Sequence, residues 1–526
     1  MRFPWHTFGL TRKKVAALSV CLLALPAVAQ VYPTPARSWA AIGLFPMAST
    51  ASEFSIAAQS TNPQFAPLVE PRPTPFLPLK PMSPAEQKRS WWILVLEYPV
   101  LFYVVLRLIG MAFESSTHRR GYAEKIHNQS GEAQPGAAVA AASKRHHSRL
   151  RWILAGGLAA ILGMVVLLRA QAELGQPVLI NALILSILPL PIWIVLTQWI
   201  HRFKTEPVRM LAAAFFWGAT VACFFSLWAN TSFARWAVDR YGTGTAPLGA
   251  VLSAPWVEES LKGLFVLFLF FWPNARFDDV IDGIVYATMV GLGFAMMENV
   301  VYLGRAIVSG HEEIVRQTVF GRLVMGPFVH PFFTCMFGIG LGFSRETDNR
   351  VVKIIAPVAG FFLAMFLHYT WNLTLLFDGL LKAAAATGIV LRAAPVYYYF
   401  YLLFMFPAFL AVITLIMFQL GREGVVISQN LLPEVQSGIL GPVELKGLTT
   451  VTGRLKATTG ALLKGGVQPW IAQRKFHQVA SELAFHRYRV AHGISRQDDT
   501  LESAFVQRLR GVLAQSIPVK VQTQTS

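Results

Sequence analysis

Apolar residues in this chain gather in long blocks separated by short polar stretches, mostly basic ones. The blocks cover about 91–113, 152–169, 175–200, 210–230, 248–271, 284–304, 318–343, 354–377 and 397–419. At a rise of about 1.5 Å per residue, blocks of this length reach across a hydrocarbon core of about 30 Å. The pattern has no strand-like alternation. It predicts an all-α fold, a polytopic transmembrane helical bundle of about nine spans after an N-terminal signal or anchor segment.

The ends of the chain read differently. Arg2, Arg12, Lys13 and Lys14 precede a short apolar run that closes on Ala27-Val28-Ala29. Residues 1–29 therefore read as a secretory signal, with an uncleaved anchor helix as the alternative. Residues 30–90, rich in Pro, Ala, Ser and Thr, read as an exported, poorly ordered segment. The transmembrane bundle occupies 91–420, with its polar motifs concentrated in 250–375. Residues 421–526 form a basic tail, partly helical, with a charged amphipathic stretch around Phe476 to His492.

Composition narrows the class. The chain is 54% hydrophobic and 14% charged with a mean hydropathy of +0.47, which excludes a soluble domain. A formal charge of +18 suggests nucleic acid until the basic residues are placed. They lie in loops and in the tail: Arg119, Arg120, Lys125, Lys144, Arg145, Arg149 and Arg151, then Arg202, Lys204 and Arg209, then Arg345, Arg350 and Lys353. Such loops are cytoplasmic by the positive-inside bias, and the alternation they set places the C-terminus in the cytoplasm. The loop at 272–283 is on the same side by count yet acidic at Asp278, Asp279 and Asp282. Cys21, Cys223 and Cys335 have neither disulfide nor zinc spacing.

Several blocks contain residues that lipid disfavours. Glu258, Glu259 and Lys262 sit inside the run from Leu248 to Phe271, where each charge costs about 3 kcal/mol on translocon-type scales. Packing alone does not account for such a cluster. Glu298 with Asn299, His330 with Pro331, and His368 with Asn372 lie at comparable depth in later blocks. Glu258 and Lys262 share a helix face, as do His368 and Asn372, whereas Glu259 is turned by about 100° from Glu258. Gly283, Ala287, Gly291 and Ala295 recur every fourth residue, a stripe that lets helices approach closely. Pro331 removes a backbone donor, which would open the helix beside His330. These polar groups suit one shared cavity serving as a reaction centre or an ion path.

The motifs carry a resemblance. Glu258-Glu259-x-x-Lys262, then Asp282-Gly283-x-x-Tyr286, then Gly291-Leu292-Gly293-Phe294 leading to Glu298-Asn299, then His330, then His368-x-x-x-Asn372, is similar in content and order to the PrsW-type intramembrane protease family. That family is distantly related to the CAAX-processing prenyl proteases and bacteriocin-immunity membrane proteins. The resemblance implies a multi-pass endopeptidase of the bacterial inner membrane that cuts a membrane-anchored protein, in some members an anti-sigma factor. Its partners are then that substrate and the lipid bilayer, with no nucleic acid. It maps Glu258 and Glu259 onto the paired glutamates, His330 and His368 onto the histidines, and Asn372 onto the asparagine that stabilises the oxyanion. Amide hydrolysis then asks Glu258 or Glu259 to act as general base, with His330 and His368 orienting water or binding metal. A metal site would take Glu298, His330 and His368, a set suited to Zn2+; a metal-free glutamate mechanism stays open. Two other classes remain: a proton- or cation-coupled transporter using the same buried cluster, and a scaffold acting through the tail.

Overall fold

The structure is a computed structural model that describes residues 156–516 apart from 205, 246, 273–276, 387–395 and 493–498. The expected signal, the Pro-rich segment, the span at 91–113 and the basic loop at 114–151 all lie outside these residues. The described residues are helical, without strands. They divide into two compact units: one runs to Ile194 and resumes over Val208–Leu403, the other holds Val195–Pro207 and the residues from Phe404 on.

Helices appear in each apolar block that the structure describes. In chain order they are α1 (Gly156–Leu174), α2 (Gln176–Ile200) and α3 (Val208–Tyr241), α4 (Ala254–Phe270), α5 (Val280–Val308), α6 (Glu312–Val319), α7 (Val329–Glu346) and α8 (Arg350–Ala386). Seven helices, counting Glu312–Glu346 as one, are long and apolar enough to cross a membrane among the described residues. Helix α4 is not among them: its three charged residues, Glu258, Glu259 and Lys262, crowd into five consecutive positions. The chain is thus a helical membrane bundle.

Helix α5 is the centre of the first unit. Its N-terminus is closed by a capping box: the Asp279 carboxylate accepts from the Asp282 backbone N–H, and the Asp282 carboxylate accepts from that of Asp279. Two of the three acidic residues of 272–283, Asp279 and Asp282, therefore serve the helix start, at the positive end of its dipole. The small-residue stripe faces α7: a methyl group on Gly283 would overlap the Gly338 carbonyl, and one on Gly291 would run into Pro331. Gly293, on the opposite flank, meets the Phe215 carbonyl of α3. Two helices are thus held against α5 at backbone distance, which fixes the depth of every side chain they carry. Helix α8 packs on α7 in the same manner, with Gly340 against the Ala356 carbonyl.

One expectation changes. The sequence predicts a single helix over the block at 318–343, opened by Pro331 beside His330. Instead a π-helical turn, Phe320–Met325, ends at Gly326, and a new helix begins at Val329. His330 and Pro331 sit in the first turn of α7. A proline there removes an N–H that has no helical partner in any case, so it marks a helix start. The break lies one residue group earlier, at Gly326–Phe328.

The second unit is built on α9 (Phe406–Asn430), followed by α10 (Pro442–Thr449), α11 (Val451–Gly465), α12 (Val467–Ala491) and α13 (Asp499–Ser516). Helices α10 and α12 pack on α9, and α11 on α12. The amphipathic stretch around Phe476 to His492 is the buried-faced half of α12, with Phe476, Val479, Ala480, Leu483 and Ala484 inside.

A candidate metal centre among four helices

Helix α4 begins after a π-helical lead-in, Gly249–Ser253, with Pro255 in its first turn. Glu258, Glu259 and Lys262 follow within two turns and all are buried. Lys262, fully enclosed, is neutralised locally: its ammonium lies 2.6 Å from Glu259 Oε1 and 3.7 Å from Glu258 Oε2. It also stands 4.4 Å from the centre of the Phe294 ring. Burying such charges is expensive, and only contacts of this quality repay it.

The two histidines come from α7 and α8, and each is gripped on one side by a carboxylate. His330 Nε2 lies 2.7 Å from Glu298 Oε2 of α5. His368 Nδ1 lies 2.9 Å from Glu259 Oε1, and its ring stacks on Phe333 at 5.0 Å. A carboxylate accepts, so Nε2 of His330 and Nδ1 of His368 carry the protons. The remaining nitrogens, His330 Nδ1 and His368 Nε2, keep their lone pairs. Both turn toward Glu258 Oε2, at 4.0 Å and 3.9 Å.

Glu258 Oε2 is buried and makes no hydrogen bond. Its other oxygen accepts from Asn230 Nδ2 at 3.1 Å, and Asn230 in turn accepts from Ser253 Oγ. Both Glu259 oxygens are engaged, Oε1 as above and Oε2 by Thr334 Oγ1 at 3.0 Å. Glu298 Oε2 is shared with Arg322 Nη1 at 2.6 Å. Arg322 lies on the π-helical turn, covers the Tyr302 ring at 3.5 Å and reaches Asn299 Oδ1 at 3.3 Å.

Glu258, His330 and His368 offer ligand atoms that all lie within 4.8 Å of one another. Ligands of a tetrahedral zinc stand about 3.3 Å apart, given bonds of about 2.0–2.1 Å. The three atoms therefore stand at most about 1.5 Å farther apart than such ligands do. Formal charge points the same way: three carboxylates (Glu258, Glu259, Glu298) face two fixed cations, Lys262 and Arg322, leaving one negative charge for a cation to balance. The residues fit a divalent metal, with Glu259 and Glu298 as the carboxylates that orient its two histidines. Lys262 Nζ, 3.1 Å from His330 Nδ1, must give way to it.

The geometry alters the ligand set expected from sequence. Sequence groups Glu298 with His330 and His368, but Glu298 faces the proton-bearing nitrogen of His330 and is paired with Arg322, so the carboxylate at the unprotonated nitrogens is Glu258. Asn372 also differs: its amide donates to the Ala250 carbonyl at 2.7 Å and makes no hydrogen bond to this cluster among the described residues. Asn230, Ser253, Thr334 and Arg322 were not singled out. Arg322 had a signal, being a cation inside an apolar block; the other three are unremarkable in sequence.

Helices that cross a membrane and enclose such a polar centre define an integral membrane protein with a reactive core, and comparison with known proteins gives the class. Residues 206–412 match the profile of the PrsW family intramembrane metalloprotease. Protease PrsW of Bacillus subtilis is 33% identical over 154 residues, 29% of this chain and 64% of that protein. Protease PrsW of Geobacillus kaustophilus is 30% identical over 175 residues, 33% of this chain and 70% of the relative. That of Oceanobacillus iheyensis is 28% identical over 172 residues, 32% and 72% respectively. The chain thus spans about two thirds of the length of these bacterial relatives. No solved structure matches. The chain belongs to the PrsW family of intramembrane metalloproteases. All the cluster residues lie within the matched region.

Proposed function

We propose that this chain hydrolyses a peptide bond of a membrane-anchored protein at the centre formed by Glu258, His330 and His368. The observation that carries the reading is the convergence of three ligand atoms, one of them (His330 Nδ1) also 3.1 Å from Lys262 Nζ, on side chains each held in place by a second polar group. Glu259 fixes the tautomer of His368, Glu298 fixes that of His330, and Asn230 turns Glu258 so that Oε2 faces the histidines. Thr334 locks Glu259 from behind. A bound metal, Zn2+ by the donor set, would supply Lewis acidity toward the substrate carbonyl and acidify water.

The residues divide the remaining work. Glu258 Oε2 is the oxygen able to take either the metal or a proton from water, since both oxygens of Glu259 are engaged. The Lys262 ammonium is the positive charge closest to these atoms, and once moved off His330 Nδ1 it is placed to stabilise negative charge that develops on the carbonyl oxygen. Asn372 stays outside this role in the described arrangement. Phe294 and Phe333 wall the histidines and keep bulk water away. The location is the bacterial inner membrane with the C-terminus in the cytoplasm, on the charge bias of the loops.

The test has two parts. Membrane proteomes of cells carrying the wild type and Glu258→Gln are compared; loss of processing of at least one membrane protein is expected. Unchanged processing, with the variant folded and inserted, overturns the reading. Purified protein should hold about one equivalent of metal and lose turnover on chelation. Full activity in metal-free protein would make Glu258 the general base of a metal-free reaction.

A further inference from the structure

The second unit carries a surface feature that hydrolysis does not use. Helices α11 and α12 fold back on each other around Gly466 (φ 79), and Arg454 near one end donates to Ser481 near the other, at 2.6 Å. At the turn of this hairpin, apolar side chains point outward: Leu463 is 80% exposed, Val467 60% and Ile471 47%. Leu462 is exposed beside them. Lys464, Arg474 and Lys475 are exposed around them, and the Arg474 guanidinium lies 4.9 Å from the centre of the Trp470 ring. From Leu445 to Ser481 the sequence has Lys446, Arg454, Lys456, Lys464, Arg474 and Lys475, and no acidic residue.

We propose that this hairpin tip is a docking surface for the anionic headgroups of the membrane that the chain spans. An apolar tip ringed by cations, with an aromatic ring at its edge, matches the boundary between headgroups and acyl chains. Charge complementarity selects the occupant: the tip has no carboxylate to repel phosphates, and its basic residues stand beside the apolar ones. A nucleic acid would use the cations and leave Leu463 and Val467 in water. A membrane uses both. The same compact unit contains α9, whose Phe406, Leu410, Ile413, Met417 and Phe418 are exposed in the manner of a lipid-facing helix. Gly424 of α9 meets the Thr449 carbonyl just before α11, so the hairpin is rooted on the end of a membrane-compatible helix.

The experiment uses the whole chain in vesicles. Leu463→Cys is labelled with an environment-sensitive fluorophore in a Cys21→Ser background, where Cys223 and Cys335 are buried. Nitroxide lipids serve as quenchers, in phosphatidylglycerol-containing and in pure phosphatidylcholine vesicles. Quenching is expected with the anionic lipid, lost in Lys464→Glu/Arg474→Glu/Lys475→Glu, and weakened when salt is raised to about 1 M, where charges are screened beyond about 3 Å. Lys464→Gln/Arg474→Gln/Lys475→Gln serves as the second variant if charge reversal disturbs folding. Equal quenching in both lipids, or none in either, overturns the proposal. So does protection of the label by a second copy, read as a crosslinked dimer.

Discussion

Both units bury cations inside helical packing, yet they treat them in opposite ways. In the second unit Arg454 is enclosed and every one of its nitrogens is spoken for, by the carbonyls of Leu448 and Arg202 and by Ser481 Oγ. Arg487 is held likewise, in a fork with Glu434 at 2.6 and 2.8 Å and by Glu502 at 2.8 Å. These networks close on themselves. The cluster around α4 does not close: its groups are held firmly from behind, while Glu258 Oε2 faces two histidine nitrogens across about 4 Å. A buried polar network that satisfies every donor is a structural joint. One whose oriented acceptors face each other without closing leaves room for a further group, and the proposed metal would offset the electrostatic cost of such a cluster.

The contrast breaks most sharply at Glu258. Glu258→Gln is expected to lower cleavage of a membrane substrate by about 10^3-fold with little change in thermal unfolding, a loss of the size that acid–base groups supply. Next comes Glu298→Gln, which leaves the open atoms in place and loosens His330; a fall of about 10- to 100-fold in metal affinity, read by competition with a chromophoric chelator, is expected. A merely structural Glu298 would change unfolding and leave affinity alone.

Arg454→Met should do the reverse. Removing a closed network leaves two carbonyls and Ser481 without their donor, so unfolding of the tail helices should come about 2 kcal/mol easier. Cleavage per folded molecule should not change. Gly283→Ala tests the frame that positions the cluster: its methyl group meets the Gly338 backbone, and overpacking of that kind costs about 1–3 kcal/mol. Both stability and cleavage should fall together, since α5 and α7 carry Glu298 and His330.

The smallest effect concerns pH. Burial, with Arg454 and Arg202 nearby, pushes His477 of α12 down to about 3. Between that value and the ordinary 6.5 the unfolded chain binds a proton that the folded one refuses, so stability is complete above the upper limit and declines as pH falls toward the lower. His477→Gln should flatten the decline in an acid titration followed by circular dichroism.

Much of this was legible along the chain. The apolar blocks foretold α1 to α5, α8 and α9, and a single helix where the π-helical turn and α7 stand, because a helix must satisfy its own backbone in lipid, a local requirement. The depth of Glu258, Glu298, His330 and His368 marked them as belonging together, because charge in hydrocarbon is costly wherever the rest of the fold goes. The capping role of Asp279 and Asp282 follows from neighbours in sequence too, and it accounts for an acidic loop on the side where basic ones are expected. The start of α7 was missed, since an apolar block conceals a break that only Gly326 and Pro331 hint at.

What tertiary structure decided is direction. Depth is set by counting residues, but which oxygen faces which nitrogen depends on how α4, α5, α7 and α8 rotate against one another, and backbone contacts at Gly283, Gly291 and Gly340 set that rotation. Sequence therefore determined that three glutamates and two histidines stand at comparable depth within their apolar blocks. Only the packed helices chose Glu258 over Glu298 as the carboxylate between the histidines, supplied Asn230 and Thr334 to hold it so, and turned Asn372 toward Ala250, because distances between helices are properties of their interfaces and not of their spacing along the chain.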